Sequence, residues 1–166
     1  MNKDRLKFRV WDKRRNKFIE SPEPTPMLQA NGLLAYFKDA EYMNNYVIQF
    51  STGLKDKNGK LIYEGDIVIK KVFIDYQGDG QFQPDVYIDR EYIGVVHLSA
   101  SNGATLQKVK IFETESAYEP KKQREKRECP KATKLIACRS EVIGNIYQDP
   151  NYLEKVQKII ETELKE

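Results

Sequence analysis

Residues 51–68 read Ser-Thr-Gly-Leu-Lys-Asp-Lys-Asn-Gly-Lys-Leu-Ile-Tyr-Glu-Gly-Asp-Ile-Val, and this stretch decides the fold. Asn58-Gly59 predicts a tight turn, because both residue types tolerate a positive φ angle. Glu64-Gly65-Asp66 predicts a second turn, just before a β-branched run that enters a core. Closely spaced turns of this kind are typical of a small, strongly bent, barrel-like β domain. We therefore interpret five residues as architectural rather than catalytic, namely Gly53, Asn58, Gly59, Gly65 and Asp66.

Other segments extend the mainly β prediction. Leu6 to Trp11 alternates apolar and basic side chains, and a polar turn at 12–16 followed by 17–19 completes a predicted hairpin. Three prolines within 21–26 predict an extended surface connection instead of a central strand. Further strands are expected at 46–50, 67–74, 92–98, 105–113, 135–138 and 141–147.

The C-terminal segment has a different periodicity, which predicts an amphipathic α-helix over 149–166. Asp149 suits an N-cap and Pro150 the first helical position. One apolar face results from residues three and four positions apart, namely Leu153, Val156, Ile160 and Leu164. A short helix is marginal alone, so we expect this face to dock on the β domain of residues 1–148 or on a second subunit.

Composition excludes several classes of protein. The chain has 166 residues, with 28 Lys and Arg against 25 Asp and Glu. No apolar run approaches the roughly 18 residues of a membrane helix, and the basic N-terminus lacks the apolar region of a secretory signal. We therefore expect a soluble, intracellular protein without a membrane partner.

The small net charge of +3 conceals basic and acidic segments. The first hairpin is basic and interleaves cations with aromatic rings, as a nucleic-acid surface requires. A second basic run lies in a charged hairpin or loop predicted at 119–131, whereas residues 75–91 are acidic. The candidate nucleic-acid or partner surface comprises Arg9, Trp11, Arg14, Arg15, Lys121, Lys122, Arg124, Lys126 and Arg127.

No residue pattern supports a catalytic, metal or cofactor site. His97 lies in an apolar run and is interpreted as a half-exposed strand residue, with no motif that supplies an orienting group or a nucleophile. Asp75 begins a stretch similar to a calcium loop, but Val86 stands where a bidentate Glu is required. Cys129 and Cys138 are interpreted as reduced thiols, and a bridge between them stays an open alternative.

Three segments together resemble the YopX family of phage and prophage proteins. They are Leu6–Asp12, the stretch 51–68 quoted above, and Glu141–Tyr147, and they occur in the family's order. The resemblance implies a mostly β fold with a small barrel-like core and an origin in a phage or an integrated prophage of a low-GC bacterium. It therefore also implies that the protein is located in the cytoplasm of a bacterial host cell. It implies no enzymatic activity and no cofactor.

The sequence therefore predicts a non-enzymatic binding module that acts on a host or phage protein, and a homo-oligomer assembled through the C-terminal helix. The alternative is a small β-barrel that binds nucleic acid. A pI near 8.7 and the acidic residues at 75–91 weigh against that alternative.

Overall fold

The computed structural model describes residues 3–19, 44–76, 86–116, 125–129, 133–152 and 154. Short 3-10 helices lie at Lys3–Leu6 and Ala137–Arg139. Within the described residues the strands are β1 (Phe8–Asp12), β2 (Lys17–Phe18), β3 (Tyr46–Lys55), β4 (Leu61–Tyr63), β5 (Asp66–Tyr76), β6 (Val86–Ser99), β7 (Gly103–Ser116), β8 (Glu125–Cys129), β9 (Thr133–Lys134) and β10 (Ser140–Asn145).

The strands form two sheets. The smaller has the order β2-β1-β3-β4, and the larger has the order β10-β5-β6-β7-β8, with β9 also pairing with β7. The strand pairs are antiparallel, and the larger sheet curls into a half-barrel. The prediction of a mainly β, bent and partly barrel-like domain is therefore confirmed.

The larger sheet carries apolar clusters on both of its faces. Alternation along β5 places Val68 in one cluster and Ile67 in the other, and both are almost fully buried. The first cluster is completed by Ile62 of β4, so it connects the sheets. Tyr152, which follows β10, packs against the second cluster. Burial on both faces explains why β5 has an almost continuous apolar sequence rather than strict alternation.

A β-bulge in β7 corrects the side-chain alternation of that strand. Lys108 and Val109 together lie opposite Gly94 of β6, and Lys108 has a φ of 51°. The extra residue reverses the alternation, so that Leu106 and Val109 both enter the first cluster. The backbone of Lys108 is thus held in a left-handed conformation that costs energy for a side chain with a Cβ atom.

The two predicted turns are present, with one difference in detail. Gly59 and Gly65 have φ angles of 81° and 80°, whereas Asn58 does not have a positive φ. Asn58 does not need the left-handed conformation of a two-residue turn, because the connection between β3 and β4 is longer. It is closed by the Asp56 carboxylate, which accepts hydrogen bonds from the backbone N–H groups of Asn58 and Lys60, each at 2.9 Å.

Asp56 also connects this turn to the larger sheet. The N–H of Val142 in β10 donates to the second carboxylate oxygen at 3.0 Å. Burial raises the pKa of the Asp56 carboxyl, but the three backbone N–H groups outweigh burial and hold its pKa below the usual value. The ionised carboxylate therefore stabilises the contact between the β3–β4 turn and β10.

Within the predicted charged hairpin or loop at 119–131, residues 125–129 form strand β8, which pairs antiparallel with β7. Charged residues obscure this strand in the sequence, yet pairing with β7 satisfies its backbone groups. The predicted C-terminal α-helix over 149–166 is not supported, because no α-helix occurs among the elements that the described residues form; of this segment only 149–152 and 154 are described. The face formed by Leu153, Val156, Ile160 and Leu164 lies outside the described residues, as do 21–26 and 77–85. No helix of the described residues is long and apolar enough to cross a membrane.

We predict that stability declines in acid through Asp56. Since its pKa is lower in the folded than in the unfolded state, its contribution is present above the unfolded value of about 3.9 and disappears as the pH falls through the folded value. Asp56→Asn should lower the free energy of unfolding by about 1–3 kcal/mol at neutral pH. In the variant this free energy should also decline less steeply on the acid limb, the part of the pH–stability curve below neutral pH. Urea unfolding of both proteins between neutral pH and the acid limb measures this. An unchanged acid limb in the variant would contradict the assignment.

A matched pair of glycine substitutions tests the close packing at the second turn. A Cβ atom at Gly65 would lie 2.4 Å from Gln49 Nε2, whereas a Cβ at Gly59 meets nothing within 4 Å. Gly59→Ala should therefore cost only the left-handed conformation, about 1–2 kcal/mol. Gly65→Ala should cost roughly 1–3 kcal/mol more because of the clash. Equal losses in thermal unfolding would show that Gln49 moves aside freely.

Candidate functional site

The structure separates the residues of the predicted basic surface. Trp11 is only 3% exposed and packs edge-to-face on Phe18, with ring centroids 4.9 Å apart. Arg14 and Arg15 lie exposed in the β1–β2 turn. Lys126 and Arg127 belong to β8, on the other sheet, while Lys121, Lys122 and Arg124 lie outside the described residues. The prediction that Trp11 lies on a partner surface is wrong, because its ring is buried against Phe18.

Arg9 is also directed into the protein. Its guanidinium lies between two aromatic rings, 4.3 Å from the Phe18 centroid and 4.4 Å from the Tyr63 centroid. Its Nη2 donates to Asp66 Oδ1, and its Nε donates to Gln49 Oε1 at 2.8 Å. Alternation along β1 predicts that Arg9 faces solvent as a surface cation. This prediction is wrong, because its guanidinium is paired with buried Asp66.

Asn145 completes this arrangement, which we call the Arg9 network (Arg9, Gln49, Asp66 and Asn145). Its Nδ2 lies 3.2 Å from both Asp66 Oδ1 and Gln49 Oε1. Asp66 is 1% exposed, and its other oxygen accepts from the Tyr63 N–H at 2.8 Å. Arg9 and Gln49 come from the smaller sheet, and Asp66 and Asn145 from the larger one. The network therefore joins the two sheets through a buried charge pair, and the architectural interpretation of Asp66 agrees with it.

An exposed groove lies on the outer side of β5, and we call it the Phe73 groove. It has a volume of about 380 Å³ and is lined by Lys57, Ile69, Lys71, Phe73 and Arg139. The side chain of Phe73 is 64% exposed, as exposed as any large apolar residue of the described chain. The alternation of β5 aligns Ile69, Lys71 and Phe73 on one face. Exposed aromatic rings beside charged groups are features of protein interfaces.

The cations of the Phe73 groove are partly neutralised. Lys71 Nζ lies 2.7 Å from a carboxylate oxygen of Glu91, and Lys57 Nζ lies 2.6 Å from one of Glu141. The hydrogen bond from Lys57 and the charge of Lys57 lower the pKa of Glu141. Within the described residues, Arg139 has no ion pair. The groove therefore combines an apolar floor with a rim that carries one uncompensated positive charge.

His97 has a partner that the sequence did not reveal. It lies in β6 with a half-exposed side chain, as predicted, but its Nδ1 is 3.2 Å from Glu64 Oε1. Glu64 precedes Gly65 in the second turn, so only the folded chain brings the two together. The sequence carries no motif for this partner, because Glu64 and His97 are 33 positions apart.

The remaining candidate chemistry is limited. No group of three or more potential metal ligands occurs among the residues that the structure describes. Most of the calcium-loop-like stretch after Asp75 lies outside those residues. Cys138 is a free, exposed thiol in the second 3-10 helix, whereas Cys129 lies in β8. The arrangement at Cys138 agrees with the prediction of a reduced thiol.

The chain is a curled, mainly β domain whose two sheets are joined by the Arg9 network. Comparison with known proteins gives its family. The family model described as YopX protein matches residues 7–154. The chain therefore belongs to the YopX family, which confirms the resemblance of its three segments. The crystal structure of protein EF1440 from Enterococcus faecalis is similar at 21% identity and a TM-score of 0.45, covering 89% of this chain and 96% of that one. No protein of curated function matches.

Two arginines of the predicted surface distinguish an interior role from a surface role. Arg9→Ala should lower the free energy of unfolding by about 3 kcal/mol or more, because it leaves buried Asp66 without its cation. Arg14→Ala, in the exposed turn of the same hairpin, should change it by less than about 0.5 kcal/mol. Urea unfolding monitored by circular dichroism measures both. A mild effect of Arg9→Ala would show that the network contributes little.

Proposed function

We propose that this YopX-family protein is a non-enzymatic binding module that engages a host or phage protein in the bacterial cytoplasm. The observation that carries the proposal is the Phe73 groove, where a 64% exposed aromatic ring stands beside an apolar floor. Exposing such a ring to water is unfavourable, and burying it against a partner removes apolar surface from water. Aromatic side chains, including Phe, are also enriched at the buried centres of protein interfaces.

The groove favours a protein partner with an apolar anchor and an acidic side chain. Arg139 can pair with an incoming carboxylate, while Lys57 and Lys71 are already paired with Glu141 and Glu91. Nucleic-acid binding needs several unpaired cations, because its affinity comes from neutralised phosphates. The burial of Trp11 and the inward direction of Arg9 remove two of the groups on which that alternative depends.

The proposal includes self-association. Its support is the apolar pattern of the C-terminal segment, and closed symmetric oligomers are the common outcome when such a face is unpaired. Light scattering at high concentration would measure it against the 19.4 kDa chain. A strict monomer would remove the oligomer and leave the binding groove as a separate proposal.

Two matched substitutions test the groove. Phe73 and Leu6 have the same exposed fraction, 64%, but Leu6 lies in the N-terminal 3-10 helix. A partner captured from host lysate by cross-linking should bind Leu6→Ser as tightly as the unsubstituted protein. Its affinity for Phe73→Ser should be lower by about tenfold or more. The captured partner is then purified and its affinity for each variant is measured by calorimetry.

Two outcomes would count against the proposed function. Equal affinity of both variants for the partner would show that the Phe73 groove is not the interface. Salt-dependent binding of a single-stranded DNA probe that Arg139→Ser weakens would favour the nucleic-acid alternative.

A further inference from the structure

A second concavity, which we call the edge cleft, lies beside β3 on the side away from β1. It has a volume of about 400 Å³, and its walls come from β3, the β4–β5 turn, β6, β7 and the end of β10. This volume falls within the range of ligand-binding clefts. What distinguishes the edge cleft is the backbone of β3 in its wall.

The pairing of β1 with β3 shows which way the backbone of Ile48 points. Val10 of β1 lies directly opposite Ile48, and the Val10 carbonyl accepts from the N–H of Ile19 at 2.9 Å, on the far side of β1. In an antiparallel pair, a residue whose N–H and C=O point away from the partner strand lies opposite one that does the same. The N–H and C=O of Ile48 therefore point away from β1.

The edge of β3 is closed at Phe50 but not at Ile48. The backbone of Phe50 points the same way as that of Ile48, and its carbonyl accepts from the N–H of Glu64 at 2.9 Å. The next N–H, of Gly65, donates instead to the Val96 carbonyl of β6 at 2.9 Å, so the chain leaves β3 at this point. Within the described residues, neither backbone group of Ile48 has a hydrogen-bond partner.

This open edge of β3 forms part of the wall of the edge cleft. Val47, Ile48 and Gln49 are consecutive, and all three line the cleft. Side chains of consecutive strand residues point to opposite faces, so three in a row line one cleft along the edge of the strand. Glu64, which lies on the same edge, lines the cleft as well. An unpaired strand edge is a template for another extended chain.

The remaining walls indicate which chain fits. Val95 and Ile146 are apolar, partly buried and packed against the second cluster. Glu64 is 33% exposed; its Oε1 lies 3.2 Å from His97 Nδ1, and its Oε2 has no partner within the described residues. This carboxylate favours a basic side chain in an incoming segment. Lys108 also lines the cleft, as an exposed residue of the β7 bulge.

We propose that the edge cleft binds an extended segment of a partner protein as an added β-strand beside β3. The backbone of the segment pairs with the N–H and C=O of Ile48, an apolar side chain lies against Val95 and Ile146, and a Lys or Arg side chain reaches Glu64. Recognition by strand addition derives its affinity from such main-chain hydrogen bonds. The edge cleft shares no lining residue with the Phe73 groove, so the inference does not depend on the proposed function.

Amide hydrogen exchange of the full nitrogen-15-labelled chain tests the open edge itself. The N–H of Ile48 should exchange at least about tenfold faster than that of Gln49, which points toward β1. Slow exchange of Ile48 that becomes faster on dilution would show that a second copy of the chain occupies the edge, which contradicts the proposal.

Three blocked peptides then serve as probes. The first is acetyl-Val-Lys-Val-Lys-Val-amide, the second has the same sequence with every backbone nitrogen methylated, and the third has Glu in place of Lys. The first peptide, at millimolar concentration, should slow the exchange of Ile48 and shift its resonances saturably. The methylated peptide cannot donate main-chain hydrogen bonds and should bind roughly tenfold more weakly. The Glu peptide should also bind more weakly.

A pair of glutamate variants separates the site from general charge attraction. Glu64→Gln should weaken binding of the first peptide by roughly threefold to fivefold, the scale of an exposed charge pair. Glu154→Gln, outside the edge cleft, should leave it unchanged.

Four results of these measurements would overturn the proposal. They are unchanged exchange of Ile48 in the first peptide, which leaves water as its partner; equal binding of the methylated peptide; equal or tighter binding of the Glu peptide, which would assign the charge preference to Lys108; and equal effects of the two glutamate variants.

Discussion

The buried pairing of Arg9 with Asp66 is the constraint on which the arrangement of the two sheets depends. A carboxylate with 1% exposure is tolerable only if its charge is compensated, and here the compensating cation comes from the other sheet. The Phe18 and Tyr63 ring centroids lie 4.3 and 4.4 Å from the guanidinium carbon, and Asn145 supplies a further donor to Asp66. Separating the sheets would leave two charges unpaired, so the network opposes separation of the two sheets.

The three segments that resemble the YopX family meet at this network. Leu6–Asp12 supplies Arg9, the stretch 51–68 supplies Asp66, and Glu141–Tyr147 supplies Asn145. The sequence predicts these strands and the glycine turns well, because periodicity and turn chemistry are local properties. It could not predict the role of Arg9, because its partner is 57 positions away. Alternation alone assigns such a basic residue to the outer face.

Several other positions show the same limit. Lys70 is a charged strand residue that the sequence alone would place in solvent. It is nevertheless only 6% exposed, with its Nζ 4.3 Å from the Tyr92 ring centroid. Burial lowers the pKa of this amine. Strand β8 is charged at every position except Cys129, yet it pairs with the edge of β7. In each case a neighbour distant in sequence decides the environment, so local pattern predicts the element and not the direction of its polar side chains.

Gln49 connects the Arg9 network to the β4–β5 turn. Its oxygen belongs to the Arg9 network, and its buried nitrogen lies so close to Gly65 that an added Cβ atom would come within 2.4 Å of it. The network therefore fixes the orientation of the amide, and the glycine leaves room for it. Since Glu64 and Gly65 form the turn that leads directly into Asp66, the same turn closes the network and brings Glu64 within 3.2 Å of His97. A residue pattern that looks purely architectural in the sequence thus also determines which polar side chains of the two sheets meet.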